Sequence, residues 1–195
     1  MLASITPLGE RGRGSRWTIT MASFLIGATA AGAAEGALLG AVGGVLLGGV
    51  SVEARLGVFA VALLVALLLD LTPAGAPSPR RQVNERWLDE FRGWVYGAGF
   101  GAQLGLGIGT VVSSAATYAA LLAALLSGSA LRGMVVLGSF GAVRGITPLA
   151  AGRVRRPDQL VALHSGLERW RIPVARVGHV ALAVLVAVAV LAVLA

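Results

Sequence analysis

Long runs of Ala, Val, Leu and Gly with few charged residues are the feature that most limits what this chain can fold into. A helix that spans a bilayer needs about 20 mostly apolar residues. Five apolar runs lie at about residues 21–49, 56–69, 95–126, 130–151 and 177–195, and the short second run can extend through Ala54 and Leu71. They predict an all-α fold, a polytopic membrane helix bundle of about five transmembrane helices.

The runs divide residues 1–195, a single membrane domain, into six segments. These are a cytoplasmic N-terminal segment (1–20), a first helix pair (21–71), a cytoplasmic connection (72–94), a second helix pair (95–151), a second cytoplasmic connection (152–176) and a last helix (177–195). The first and third runs are Gly-rich and, at 1.5 Å per residue, longer than a hydrocarbon core of roughly 30 Å. We expect them to tilt, to project beyond the bilayer or to break into half-helices.

Arginine fixes the predicted orientation, because all sixteen basic residues are Arg. Segments 1–20, 72–94 and 152–176 carry thirteen of these, and the two remaining short connections carry only Arg55 and Arg132. Positive residues favour the inner face, so the N-terminus is predicted to be cytoplasmic and the membrane to be the plasma (inner) membrane. The net charge of +7 is then explained by the flanks of membrane helices and does not indicate nucleic-acid binding.

Apolar residues recur at helical spacing in both of the larger basic connections. The first set comprises Val83, Trp87, Phe91 and Trp94, and the second comprises Leu160, Leu163, Leu167 and Trp170. Charged residues lie between them, and tryptophan favours the membrane–water interface. The pattern predicts two amphipathic helices lying in the interface.

Glycines recur every four residues in the two long runs. The series are Gly32, Gly36, Gly40, Gly44 and Gly48 in the first run, and Gly97, Gly101, Gly105 and Gly109 in the third. This spacing places small residues along one helix face, where two backbones approach closely and dispersion holds them together. We predict helix packing on these glycine faces. The alternative is a thin face that lines a path for a small solute.

Polar residues form a stripe on the third run if that run is one helix. Gln103, Thr110, Ser114 and Thr117 lie at offsets of 0, 7, 11 and 14, and Tyr118 borders them. These offsets share a face at 3.6 residues per turn. The stripe serves either as structural hydrogen bonding or as part of a substrate or proton path.

Glu35 and Arg144 are the charged residues placed most clearly inside apolar runs. A charge at mid-bilayer costs about 2.5–3.5 kcal/mol on insertion scales, so such residues are paired or face a polar cavity. Two interpretations follow. Either they form a static ion pair, or they belong to a proton- or substrate-coupled site.

Residue types that are missing exclude several classes of chemistry. The chain has no Cys and no Lys, which removes disulfides, thiolate metal sites, Cys nucleophiles, P-loops and Schiff bases. No Ser-His-Asp constellation has supporting local sequence, and the two histidines lie far apart in the sequence. We predict no enzyme activity, no metal and no cofactor.

Residues 118–148 resemble a known family. Leu125-Leu126-Ser127-Gly128-Ser129-Ala130-Leu131-Arg132-Gly133, followed by Gly138, Gly141 and Gly145, is similar to the later hairpin of the cytochrome c biogenesis / DsbD-type transmembrane electron transporters. The family's redox activity depends on membrane cysteines, which this chain lacks. The resemblance therefore implies a relative that has lost electron transfer. It also implies a six-span inverted architecture, where the apolar runs predict five spans.

Two function classes remain open. One is a small transporter or exporter component, supported by Glu35, Arg144 and the polar stripe. The other is a non-catalytic structural or assembly subunit of a larger membrane complex, supported by the small size and the glycine faces. The sequence favours transport. The expected partners are the lipid bilayer and either further copies of the chain or other membrane subunits.

Overall fold

The computed structural model describes residues 5–72, 75–78, 86–107, 109 and 112–194, and helices dominate this part of the chain. The helices are α1 (Pro7–Gly12), α2 (Trp17–Leu46), α3 (Val52–Leu71), α4 (Trp87–Glu90), α5 (Gly93–Gly105), α6 (Ala116–Leu126), α7 (Ala130–Ile146) and α8 (Pro157–Leu194). A 3₁₀ helix at Thr147–Arg153 continues directly from α7.

Four of the described helices are long and apolar enough to cross a membrane. They are α2, α3, α7 together with its 3₁₀ extension, and α8. Each corresponds to one of the apolar runs, so the prediction of an all-helical membrane bundle is confirmed in this coarse form.

The third apolar run is interrupted. α5 has 13 residues and α6 has 11, which correspond to about 20 Å and 16 Å, so neither reaches across a core of about 30 Å. Gly105, Gly107 and Gly109 lie at the start of the interruption. Glycine disfavours a helix interior by about 1 kcal/mol relative to alanine, so a helix is weakest at this point.

α2 is the central helix of a first packed group, with α5 on one side and α7 on another. α5 runs parallel to α2, because Gly97 packs on Thr20 and Gly105 packs on Ala28. α7 runs antiparallel, because Gly133 packs on Gly36 and Gly141 packs on Ala28. A second group joins α3, α6 and α8 through Ala60, Leu63, Ala66, Ala115, Ala119, Leu182 and Ala189.

Arg55 closes the turn between α2 and α3. Its guanidinium donates to the carbonyl of Leu47 at 2.6 Å and to that of Val50 at 2.8 and 3.0 Å. The last carbonyls of a helix lack intrahelical donors and carry partial negative charge, so a cation here stabilises the end of α2. Ser51 caps α3 by accepting from the amide of Ala54 at 3.3 Å.

Both expected interfacial helices differ from the structure. α8 is one helix of 38 residues that joins the second amphipathic stretch to the last apolar run. Pro173 lies inside this helix, and a proline inside a helix can kink it without ending it. In the first connection the described helical residues are those of the four-residue α4 and the first two residues of α5, which include Trp94, and Val83 lies outside the described residues.

Candidate functional site

The predicted polar stripe is divided by the interruption between α5 and α6. Gln103 lies on α5, Ser114 lies in the non-helical stretch, and Thr117 and Tyr118 lie in the first turn of α6. Thr110 lies outside the described residues. The residues therefore do not share a continuous helix face, because the 3.6-residue repeat ends at Gly105.

Glu35 contacts the interruption at the side where α5 ends. It lies near the middle of α2, is half-buried, and its Oε2 accepts a hydrogen bond from the amide of Gly107 at 2.9 Å. Gly107 follows the C-terminal end of α5, where helix carbonyls carry partial negative charge. A carboxylate beside such an end forms an electronegative site.

Asp70 contacts the interruption at the side where α6 begins. Its Oδ2 accepts from the hydroxyl of Ser114 at 2.5 Å, and its Oδ1 accepts from the amide of Ala115 at 2.7 Å. Ala115 precedes α6, so the carboxylate of α3 satisfies an amide at the positive end of that helix. The sequence analysis did not single out Asp70, although it is the charge that ends the second apolar run.

The connection after α3 also holds the interrupted segment. The hydroxyl of Ser78 accepts from the amide of Val112 at 2.7 Å, and the hydroxyl of Tyr118 donates to the carbonyl of Pro77. Val112 and Ala115 are buried, with 4% and 1% of their surface exposed. At these two residues the non-helical backbone is covered by protein, which is the condition for tolerating such backbone at membrane depth.

Glu35 and Arg144 do not form the expected ion pair. The ion pairs among the described residues join Arg13 to Glu10, Arg156 to Asp158, and Arg171 to Glu168. Gly145, next to Arg144, contacts Leu25 and Ala28, so Arg144 lies about seven residues, or 10 Å, from Glu35 along α2.

The Arg144 guanidinium instead lies 5.5 Å from the ring centroid of Phe140, one turn away on α7. The static ion pair, one of the two interpretations, is therefore not among the ion pairs of the described residues. Similar depth in the sequence does not set the register of α2 against α7.

Most glycines of the two series lie where helices meet backbone to backbone. In the first series, an added Cβ would overlap a carbonyl group of α7 or of the turn before α7, at Gly32, Gly36, Gly40 and Gly44. In the second series, an added Cβ would overlap a carbonyl group of α2, at Gly97, Gly101 and Gly105. Gly48 and Gly109 differ, since the nearest atoms to a Cβ there belong to their own helix end or to the local loop.

A buried polar network that the sequence analysis missed lies at the end of the bundle that carries Arg13, Arg16 and Arg92, called here the basic end. Glu10, on α1, is fully buried, and the Tyr96 hydroxyl lies 2.6 Å from both of its carboxylate oxygens. Thr20 donates to Glu10 at 2.6 Å, and Arg13 forms an ion pair with it at 2.6 Å. The only signal in the sequence is a single acidic residue within the basic segment 1–20.

The network fixes both α1 and the charge on Arg13. Burial alone lowers the pKa of the Arg13 guanidinium, but hydrogen bonds to Glu10 and Tyr96 outweigh burial and raise that pKa above its usual value. The amide of Leu8 also donates to the carbonyl of Val154 at 3.1 Å. The N-terminal segment is therefore anchored to α2, α5 and the end of the 3₁₀ helix.

The chain matches no protein-family model, no curated protein and no solved structure. The resemblance of residues 118–148 to the DsbD-type transporters stays a prediction. Within the described residues, no three side chains of His, Cys, Asp or Glu converge as a metal-ion site would require.

Proposed function

We propose that the protein is a small membrane transporter whose path crosses the interruption between α5 and α6. The observation that carries this proposal is the pair of carboxylates, Glu35 of α2 and Asp70 of α3, bonded to the two ends of one interrupted apolar segment. Discontinuous helices in transporters place half-helix ends and unwound backbone around ions and substrates. Acidic residues inside membrane segments commonly mark ion or proton paths.

The fifth crossing belongs to this proposal. α5 and α6 together follow α2 from Thr20, which packs on Gly97, to Gly43, which packs on Leu125. The 23 residue steps from Thr20 to Gly43 correspond to a rise of about 35 Å, enough to cross the hydrocarbon core. α5 and α6 then act as one discontinuous span, and the N-terminus is cytoplasmic in a plasma (inner) membrane.

The two carboxylates have different roles in this mechanism. Asp70 is satisfied by the positive end of α6 and holds the break open as a positioning residue. Glu35 faces the negative end of α5, where a proton or a monovalent cation would be stabilised. Glu35 is therefore the residue that carries the transported or coupling cation.

Cation flux into vesicles tests this function. The purified chain would be reconstituted in phosphatidylcholine–phosphatidylglycerol vesicles loaded with a pH-sensitive or a sodium-sensitive dye, and flux would be driven by an imposed gradient. We expect chain-dependent proton or sodium flux that Glu35→Gln lowers at least about a hundredfold, the lower end of the range attributed to one positioned proton-transfer group. Glu53→Gln, an exposed carboxyl at the start of α3, is the matched control and should retain flux. Absent flux, or equal flux in both variants, would reject the proposal.

The exposure of α8 favours the second candidate function, an assembly subunit. Of its 38 residues only Leu182 and Ala189 are buried, while Val177, Val180, Val184 and Leu191 are each more than half exposed. Lipid or a partner subunit would cover such a surface. Flux by the chain reconstituted alone supports the transporter, and flux that needs a co-purified membrane protein supports the subunit.

A further inference from the structure

A cavity of about 680 Å³ opens at the basic end of the bundle, between the start of α2 and the start of α5. Arg13, Arg16 and Arg92 line it, together with Ser15 and the α4 residues Asp89 and Glu90. Its volume lies in the range of small-molecule sites. It lies on the opposite side of the bundle from the Arg55 turn, and it is separate from the interruption between α5 and α6.

The arginines of this cavity are not equivalent. Arg13 is already neutralised by Glu10 at 2.6 Å. Arg16 and Arg92 are exposed, and within the described part of the chain neither forms an ion pair, although two carboxylates line the same cavity. Their two guanidinium groups remain available to an anionic ligand.

The helix ends strengthen the positive potential around Arg16 and Arg92. Arg16 precedes α2 and Arg92 precedes α5, and neither helix start has a side-chain cap. Because α2 and α5 run parallel, the partial positive charges of their N-termini add at the same cavity. Asp89 and Glu90, on the α4 side, equal the two guanidinium groups in number, and the two helix ends add partial positive charge to the cavity.

Apolar side chains border the same opening. Ile19, Phe91 and Trp94 line the cavity and expose 47%, 46% and 55% of their surface. Tryptophan and aliphatic side chains at the end of membrane helices suit the boundary between headgroups and acyl chains. A ligand that fits has an anionic head and an apolar tail.

We propose that this cavity binds the phosphate of an anionic phospholipid headgroup, with Arg16 and Arg92 as its ligands. Arginine binds phosphate oxygens through its planar fork of N–H donors. Basic pockets between membrane helices on the cytoplasmic side are a recurring form of lipid site. The bound lipid would fasten the starts of α2 and α5 together.

Lipid-dependent thermal stability tests the site. The full chain would be melted in neutral detergent containing increasing mole fractions of phosphatidylglycerol, or of phosphatidylcholine with the same acyl chains, and native mass spectrometry would count bound lipids. The quantity compared is the difference between the two lipids for each variant, so that a general change in stability cancels.

The double variant Arg16→Gln/Arg92→Gln should require at least about tenfold more phosphatidylglycerol for the same effect, because it removes two charge-assisted phosphate contacts. Arg155→Gln/Arg176→Gln removes the same charge from exposed positions outside the cavity and should keep the wild-type response. Equal weakening in both double variants would mean diffuse attraction to anionic lipid and would overturn the site.

Two further experiments test whether the ligand is an anionic lipid. Asp89→Asn/Glu90→Gln removes the opposing charges and should tighten phosphatidylglycerol binding, whereas weaker binding would contradict an anion site. Sodium phosphate added to phosphatidylcholine micelles should not reproduce the effect. If inorganic phosphate alone stabilises the chain as well as phosphatidylglycerol does, the ligand is a soluble anion and the lipid assignment is wrong.

Discussion

Single glycines decide how closely the helices approach, and two of them make a matched pair. A Cβ at Gly36 would overlap the Gly133 carbonyl and come within 2.7 Å of its carbon, while a Cβ at Gly57 meets nothing within 4 Å. Overpacking costs about 1–3 kcal/mol, and a helical Gly→Ala change alone contributes about 0.5–1 kcal/mol of stability. We expect Gly36→Ala to lower the melting temperature in detergent and Gly57→Ala to leave it equal or higher. A Gly36→Ala protein as stable as the wild type would mean that α2 and α7 do not pack this closely.

The Tyr96 hydroxyl provides a second prediction at a single residue. It bonds the fully buried Glu10 carboxylate, and hydrogen bonds to charged groups contribute about 1.5–3 kcal/mol. Tyr96→Phe should therefore destabilise the chain by about that amount in thermal or denaturant unfolding. Tyr118→Phe removes a hydroxyl whose bond to Pro77 is exposed, so it should cost less than about 1 kcal/mol. Similar losses in the two variants would argue against a buried network at Glu10.

Local sequence carries some of these residue-level features and not others. The four-residue spacing of Gly32, Gly36 and Gly40 is a local property, so their shared helix face could be read directly from the sequence. The partner of Glu35 could not be predicted from the local sequence, because Gly107 lies 72 residues away and contacts Glu35 only after α5 has ended. Burial of Glu10 likewise depends on Tyr96, 86 residues later in the chain.

Among the elements, α6 depends on a cap from another helix. Asp70 of α3 accepts from Ala115 and Ser114, and a carboxylate at a helix N-terminus contributes about 0.3–1 kcal/mol, rising to about 2 kcal/mol when partly buried. Asp70→Asn should therefore speed amide hydrogen exchange in the first turn of α6 and lower the overall stability by about 1 kcal/mol. The control is Asp158→Asn, which removes an exposed carboxylate from the first turn of α8 and should leave exchange in α6 unchanged. Unchanged exchange in both variants would mean that Asp70 does not stabilise α6.

Element lengths could be predicted where one apolar run forms one helix. α2, α3 and α7 follow their runs because length and composition alone set a membrane-length helix. The interruption between α5 and α6 was only one of several expected outcomes for a long Gly-rich run, since its position depends on hydrogen bonds from α2 and α3. The fusion of residues 157–176 with the last run was missed, because the arginines in this stretch indicated a cytoplasmic connection.

At the scale of the whole molecule, α6 links the two packed groups. It contacts α2, where Leu125 packs on Gly43, and α7, and it contributes Ala119 to the cluster with α3 and α8. The glycine-rich group of α2, α5 and α7 has backbones in close contact, whereas the second group meets through Ala and Leu side chains. A movement that opens the interruption would therefore be easier between the groups than within the first one.

The path of the chain through the membrane gives the last prediction, and the absence of cysteine makes it clean to test. Gly12 and Asp89 lie at the basic end, and Gly49 and Ala130 lie at the end closed by Arg55. With the basic end cytoplasmic, single cysteines at Gly49 and Ala130 should react with a membrane-impermeant maleimide on intact cells. Cysteines at Gly12 and Asp89 should react only after permeabilisation.

Asp89 and Ala130 bracket α5 and α6, so labelling of both from the same side would show that this segment does not cross the membrane. Labelling of Gly12→Cys on intact cells would instead reverse the orientation while leaving the fifth crossing intact, so the two parts of the prediction are tested separately.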